Sequence, residues 1–192
     1  SNYDITKNEY MYEAYCAGKY GFVPDYARLD IIYNYGGIYL DTDIELCKKL
    51  DDLLCDDSFF SVDFEGCVNP GSGFGAVQYN PIIDDMMKAY ENEHFIDKNG
   101  NLNLKPCHHY QNPILKKYGF EITQRYQKIN GNVLYPCEVL FPIATYSGVE
   151  RITEKTHSIH HSELSWISKD EREARERFKC KIRGRINENL DF

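Results

Sequence analysis

Tyr, Ala and Met recur at helical spacing over residues 8–20, and the run Gly21-Phe22-Val23-Pro24 breaks the pattern. Pro24 then stands where a first helical turn favours proline. A second helix is predicted over residues 25–35. Phe22, Tyr26, Leu29 and Tyr33 fall at i, i+4, i+7 and i+11 and form one apolar stripe. Gly36-Gly37 ends it. Residues 38–40, Ile-Tyr-Leu, read as a short buried strand that runs directly into Asp41. Further along, residues 45–54 read as a turn and short helix, and residues 59–64 alternate with a strand period. Residues 67–75 form a loop rich in Gly, Asn and Pro, and Asn80-Pro81 opens a helix over residues 82–93. Lys98-Asn99-Gly100, within residues 97–104, is a hairpin signal. A helix over 112–118 is stopped by Gly119, and strands are predicted over 133–140, around Pro136, and over 157–161. A charged, solvent-facing helix is predicted over residues 170–181. Strands and helices interleave with short loops, which is the α/β pattern. The chain opens on a helix with no buried strand before it, and no internal repeat is visible.

The chemistry concentrates after the 38–40 strand. Side chains at i and i+2 of an extended chain point the same way. Asp41 and Asp43 therefore converge at the carboxyl end of a strand, where open α/β sheets place their ligands. Two close carboxylates repel unless a cation lies between them. Oxygen ligands suit Mg²⁺ or Mn²⁺, which also bind substrate phosphates. A solvated pair of turn aspartates is the bland alternative. A calcium-binding EF-hand loop fails because its sixth position is Leu46 where glycine is required. An aspartate-nucleophile phosphatase would want Thr or Val where Glu45 stands, and is kept as a runner-up enzyme.

Asp25 and Arg28 are three apart on the predicted helix and share a face beside its apolar stripe. They are either a surface ion pair or a polar rim in which the Arg fork meets sugar hydroxyls or phosphate. Near the C-terminus, His160 and His161 offer an imidazole as a third Mn²⁺ ligand, or are two strand histidines without such a role. Gly71-Ser72-Gly73-Phe74-Gly75 does not spell a dinucleotide loop. It reads as a loop that lets backbone approach a ligand closely.

Composition narrows the partners. The 192 residues suggest one domain, and the net charge of −8 argues against nucleic acid. An acidic protein that handles an anionic nucleotide needs local neutralisation, which a divalent cation supplies. The apolar runs are too short to span a bilayer, and no leader opens these residues. The seven cysteines are widely spaced with no C-x-x-C pair, which fits a reducing cytoplasm. Cys107-His108-His109 is the tight Cys/His cluster, but nothing nearby completes a zinc site. Sixteen Tyr and ten Phe supply more rings than sugar or base stacking needs, so most belong to the core.

The stretch from Phe22-Val23-Pro24-Asp25-Tyr26-Ala27-Arg28-Leu29 to Tyr35-Gly36-Gly37-Ile38-Tyr39-Leu40-Asp41-Thr42-Asp43 closely resembles the D-x-D sugar-binding region of a glycosyltransferase family. That family includes yeast mannosyltransferases, bacterial capsular-polysaccharide transferases and, more distantly, the glucosylating clostridial toxins. Its pattern is roughly S-D-x-x-R-x-x-x-L-Y-x-x-G-G-I-Y-x-D-x-D, and Pro24 replaces the usual Ser here. Ile159-His160-His161 with Ser165-Trp166 looks like the family's H-H-x-x-x-S-W ending, and residues 69–75 look like the bacterial branch. The resemblance is strong over residues 20–54 and looser elsewhere.

The resemblance implies a GT-A fold, Rossmann-like and nucleotide-sugar-binding, with one catalytic domain over residues 1–192 that lacks the family's usual N-terminal strand. It implies metal-dependent transfer of a hexose from a UDP- or GDP-sugar to an acceptor hydroxyl, with retention. Asp43 would ligate the metal, and Asp41 would contact ribose and metal. Asp25 and Arg28 would hold the hexose. Tyr39 would line the nucleotide pocket, and His161 and Trp166 would close over the diphosphate, with His161 the third metal ligand. The acceptor would be a saccharide or lipid-linked saccharide, as in capsular or surface polysaccharide synthesis. The expected setting is the cytoplasm at the inner face of the membrane, with peripheral membrane association and homo-oligomers both compatible. A non-catalytic remnant that binds nucleotide sugar without turnover is the alternative.

Overall fold

The computed structural model describes residues 3–162 together with 170–171, 173–174 and 176–178. Helix α1 spans Glu9–Cys16, and the Asn8 side chain accepts a hydrogen bond from the Met11 N–H to cap it. Helix α2 spans Pro24–Tyr35 with Pro24 in its first turn, and Gly36 closes it at φ 67°. The chain then passes through β1 (Gly37–Tyr39), β2 (Ile44–Leu46) and a 3₁₀ turn at Asp51–Cys55 to β3 (Ser58–Ser61). A second 3₁₀ turn at Pro70–Ser72 precedes β4 (Phe74–Ala76). Helices α3 (Pro81–Lys88) and α4 (His108–Lys117), strands β5 (Gln127–Ile129) and β6 (Asn132–Tyr135), the short helix α5 (Cys137–Leu140) and strand β7 (Ser158–His160) follow.

Five strands form a mixed sheet in the order β1-β4-β3-β6-β5. β3 and β6 pair in parallel, Phe59 opposite Val133, and the other pairs are antiparallel. β2 and β7 form a separate antiparallel ribbon, with Ile44 opposite His160 and Leu46 opposite Ser158. The architecture is thus mixed α/β, as the interleaved pattern predicts.

The central strands are buried on both faces. Phe60, Leu134 and Phe74 enter a large core with Tyr10, Leu29, Ile83 and Met86 from the helices. The adjacent Phe59 and Val133 enter a smaller core with Leu53, Val139 and Leu140. Neighbouring residues of a strand face opposite ways, so a strand covered on both sides reads as an unbroken apolar run.

Several expected elements differ. The strand placed at 38–40 is Gly37–Tyr39, half-buried rather than buried, because it lies at the edge of the sheet among the described residues. The 45–54 turn and helix resolve into β2 and the 3₁₀ turn. The 67–75 loop contains a 3₁₀ turn and β4. The 82–93 helix stops at Lys88, and the 112–118 helix begins earlier, at His108, and contains Pro113. The 133–140 strand ends at Tyr135, since Pro136 has no N–H for the ladder and starts α5 instead. The 97–104 hairpin is a single bridge between Ile96 and Leu102. The described part of the 170–181 helix is helical and exposed, and the rest lies outside the described residues. No described helix is long and apolar enough to cross a membrane.

Candidate functional site

The site is built outward from α2. Asp25 and Arg28 lie one turn apart and hydrogen-bond each other, and both are buried. This overturns the surface-ion-pair alternative. Burial pushes the Asp25 carboxyl up to about 6, against the pull of Arg28. The Arg28 guanidinium lies 5.5 Å from the centre of the Tyr39 ring, and its Nη1 is 3.7 Å from Asp41 Oδ1. Its buried Nε has no hydrogen-bond partner among the described residues.

Tyr39 donates its hydroxyl proton to Asp41 Oδ1 at 2.7 Å. Burial raises the Tyr39 pKa, so the hydroxyl stays a donor. Burial alone would also raise the Asp41 carboxyl, but His160, Arg28 and Tyr39 outweigh it and hold it below its usual value. Asp41 and Asp43 do not continue a strand. They occupy the turn between β1 and β2, where the Ile44 N–H donates to the Asp41 carbonyl at 3.2 Å. Convergence therefore comes from the turn and its neighbours rather than from a pleat. The Asp41 N–H donates to the Gly71 carbonyl at 3.2 Å, and a Cβ on Gly71 would lie 2.5 Å from Asp41 Oδ2. The glycine-rich loop thus makes a close approach, against the carboxylate itself.

The third member comes from β7. His160 Nε2 lies 3.7 Å from Asp41 Oδ2 and 3.5 Å from Asp43 Oδ1, and the ring stacks on Phe141 with centroids 5.0 Å apart. Potential ligand atoms of Asp41, Asp43 and His160 all lie within 4.8 Å of one another. Ligands about Mg²⁺ or Mn²⁺, with bonds of about 2.1 Å, stand roughly 3–4 Å apart, so small side-chain shifts bring the three onto one cation. Two carboxylates and one imidazole are a fitting donor set for it. His160 Nδ1 accepts from the Ser162 N–H at 2.9 Å, which leaves the ring proton on Nε2 between the carboxylates. With Nε2 as a ligand the ring proton would sit on Nδ1, where Ser162 Oγ at 3.0 Å would accept a hydrogen bond in place of the one from the Ser162 N–H.

The expected imidazole, His161, is elsewhere. Its Nε2 faces Glu45 Oε2 at 3.0 Å and half of its side chain is exposed, against 8% for His160. Register explains the exchange, because His160 pairs with Ile44 beside Asp43, whereas His161 lies past the end of the ribbon. Trp166, expected over the diphosphate, lies outside the described residues.

Asp25, Arg28, Tyr39, Asp41, Asp43 and His160 share one cavity of about 470 Å³. Asn69, Cys107 and His108 also line it, and sequence reasoning gave them no role. Cys107 Sγ is 4.0 Å from Asn69 Oδ1, and burial pushes its thiol up to about 12. The Cys107-His108-His109 cluster is the available sequence signal, and without a completing zinc ligand it does not by itself point to a pocket wall. Residues 2–60 match the family described as the glycosyltransferase sugar-binding region containing DXD motif. No curated protein and no solved structure matches the chain.

Proposed function

We propose that this chain, whose residues 2–60 match the glycosyltransferase sugar-binding region containing DXD motif, transfers a hexose from a UDP- or GDP-sugar to an acceptor hydroxyl. The observation that carries the reading is one cavity shared by a buried Asp–Arg pair and an Asp–Asp–His cluster. Asp41, Asp43 and His160 would hold Mn²⁺ or Mg²⁺. That ion, when bound, neutralises the departing diphosphate. Asp25 accepts hydrogen bonds from hexose hydroxyls. Arg28, which lines the same cavity, offers its guanidinium to a ligand oxygen. Tyr39 orients Asp41 through its hydroxyl and offers its ring to the nucleotide. The reading takes residues 1–192 as one catalytic domain with a GT-A-like arrangement and net retention at the anomeric carbon. It extends to surface-polysaccharide synthesis at the inner face of the membrane.

The test is turnover of a panel of UDP- and GDP-hexoses with Mn²⁺ by the wild type and Asp43→Asn. We expect release of the nucleoside diphosphate by the wild type and its loss, by about a hundredfold or more, in a variant that still folds. Binding of a nucleotide sugar without any turnover would leave the non-catalytic reading in its place. Equal turnover by both proteins would remove Asp43 from the mechanism.

A further inference from the structure

The β2–β7 ribbon has two ends with different chemistry. Asp43 and His160 lie at one. At the other, the N–H groups of Cys47 and Lys48 both donate to the His157 carbonyl, at 2.8 and 3.2 Å. A second cavity, of about 630 Å³, opens there. His157 and His160 are three positions apart, about 10 Å at the strand rise. Residues at and beside the two ends of one short ribbon therefore line both cavities.

The floor of the second cavity includes Leu53 and Val139 from the smaller core. Its wall carries a pair of rings, Tyr126 and Tyr135, with centroids 5.6 Å apart and planes inclined at 54°. Phe59 backs Tyr135 at 6.4 Å, while Tyr126 is 56% exposed. The rim carries polar groups held in place by their neighbours. His157 is fixed through both ring nitrogens, Nδ1 at 2.8 Å from the Lys155 carbonyl and Nε2 at 2.9 Å from both carboxylate oxygens of Asp52. Lys155 Nζ meets Glu138 Oε1 at 3.1 Å.

This combination selects a ligand class. Carboxylates of Asp52, Glu138 and Glu154 line the cavity together with Lys48 and Lys155. The mixed signs offer no net attraction to a polyanion, and the charges disfavour an aliphatic tail. A sugar ring fits both features. Its apolar C–H face lies on an exposed tyrosine, and its hydroxyls donate to carboxylates and accept from lysines.

We propose that this groove is a second saccharide-binding site, which holds the body of an oligosaccharide acceptor while the end of that chain reaches the cavity of Asp41 and Asp43. The acceptor role rests on the glycosyltransferase reading, whereas saccharide binding by the groove does not. The ribbon sets the spacing between the two sites, so the groove favours chains over single sugars.

The test titrates maltohexaose, cellohexaose and α-1,6-mannohexaose into the wild type, Tyr126→Ala and Tyr126→Phe, followed by saturation-transfer NMR. Tyr126 is largely exposed, so neither change removes core packing. At least one hexasaccharide should bind the wild type, more tightly than its monosaccharide. Tyr126→Ala should weaken that binding about tenfold or more, and Tyr126→Phe should restore it, because stacking needs the ring and not the hydroxyl. UDP or GDP with Mn²⁺ should bind all three proteins alike. The proposal is overturned if no hexasaccharide binds the wild type, or if Tyr126→Ala binds as the wild type does. Hexasaccharide binding without any nucleotide binding would sink the glycosyltransferase reading and the acceptor role, and leave the groove as a saccharide site. Nucleotide binding without hexasaccharide binding does the reverse.

Discussion

Adjacent histidines at the end of β7 separate into two environments. His160 is buried between Phe141 and the carboxylates, and His161 is half exposed beside Glu45. Removal of each should therefore have different consequences. A ligand that binds only the folded state raises stability by about 2.7 kcal/mol at a hundredfold excess over its Kd, which is about 5–10 °C for a chain of this size. Mn²⁺ with UDP or GDP should produce a rise of that order in the wild type and in His161→Ala. His160→Ala should show little of it. Thermal shifts that are equal in the two variants would exclude His160 as a ligand. A second buried acid gives a pH signature remote from the site. Asp63 is 8% exposed, and burial pushes its carboxyl up from 3.8 to about 6, while its side chain accepts from the Cys67 N–H at 2.7 Å. A carboxyl raised in the folded state contributes stability that is complete below 3.8 and is lost as pH rises through about 6. The loss is at most about 3 kcal/mol for two pKa units. Asp63→Asn keeps the acceptor oxygen and cannot ionise, so it should flatten this part of the melting-temperature profile. A slope as steep as that of the wild type would assign the effect to other groups.

At the scale of elements, two glycines of one loop-and-strand segment separate site from stability. The Cβ of Gly71→Ala would meet the Asp41 carboxylate, the far end of a side chain. This change should displace Asp41 and weaken Mn²⁺-dependent nucleotide binding about tenfold, with little change in urea stability. The Cβ of Gly75→Ala would meet the Phe59 ring at 2.5 Å and the Gly37 carbonyl at 3.1 Å, both fixed by the sheet. That change should cost about 1–3 kcal/mol in urea denaturation. The opposite pattern, with Gly71→Ala the less stable and Gly75→Ala the weaker binder, would reverse the assignments. Helix α2 was readable in advance because its stripe, its Pro24 and its Gly36 are local signals. The boundary at Tyr135 was less so, since an apolar run around Pro136 fits either a strand or a strand followed by a turn.

Across the whole molecule, the candidate cavity draws on four separate stretches of chain. Asp25 to Asp43 lie within the matched region of residues 2–60, whereas Asn69, Cys107 and His160 come from beyond it. The sheet joins them. β1 and β4 pair in antiparallel register, Tyr39 opposite Phe74, which brings the loop before β4 against Asp41. The β2–β7 ribbon brings His160 beside Asp43, and Lys48 and His157, which flank its other end, line the Tyr126 groove.

The sequence by itself determined the local features, namely helix α2 with Asp25 and Arg28 on one face, the short strand that leads to Asp41, and an α/β class, whereas the turn that carries Asp41 and Asp43 was not among them. Each depends on periodicity or on residues a few positions apart, and such signals need no distant partner. Only the tertiary structure decided that Asp25 and Arg28 are buried, because the walls that exclude water include Cys107 and Pro106 from far along the chain. It also decided between His160 and His161. Two adjacent residues in extended chain point to opposite faces, and the pairing register with β2 determines which one meets the carboxylates.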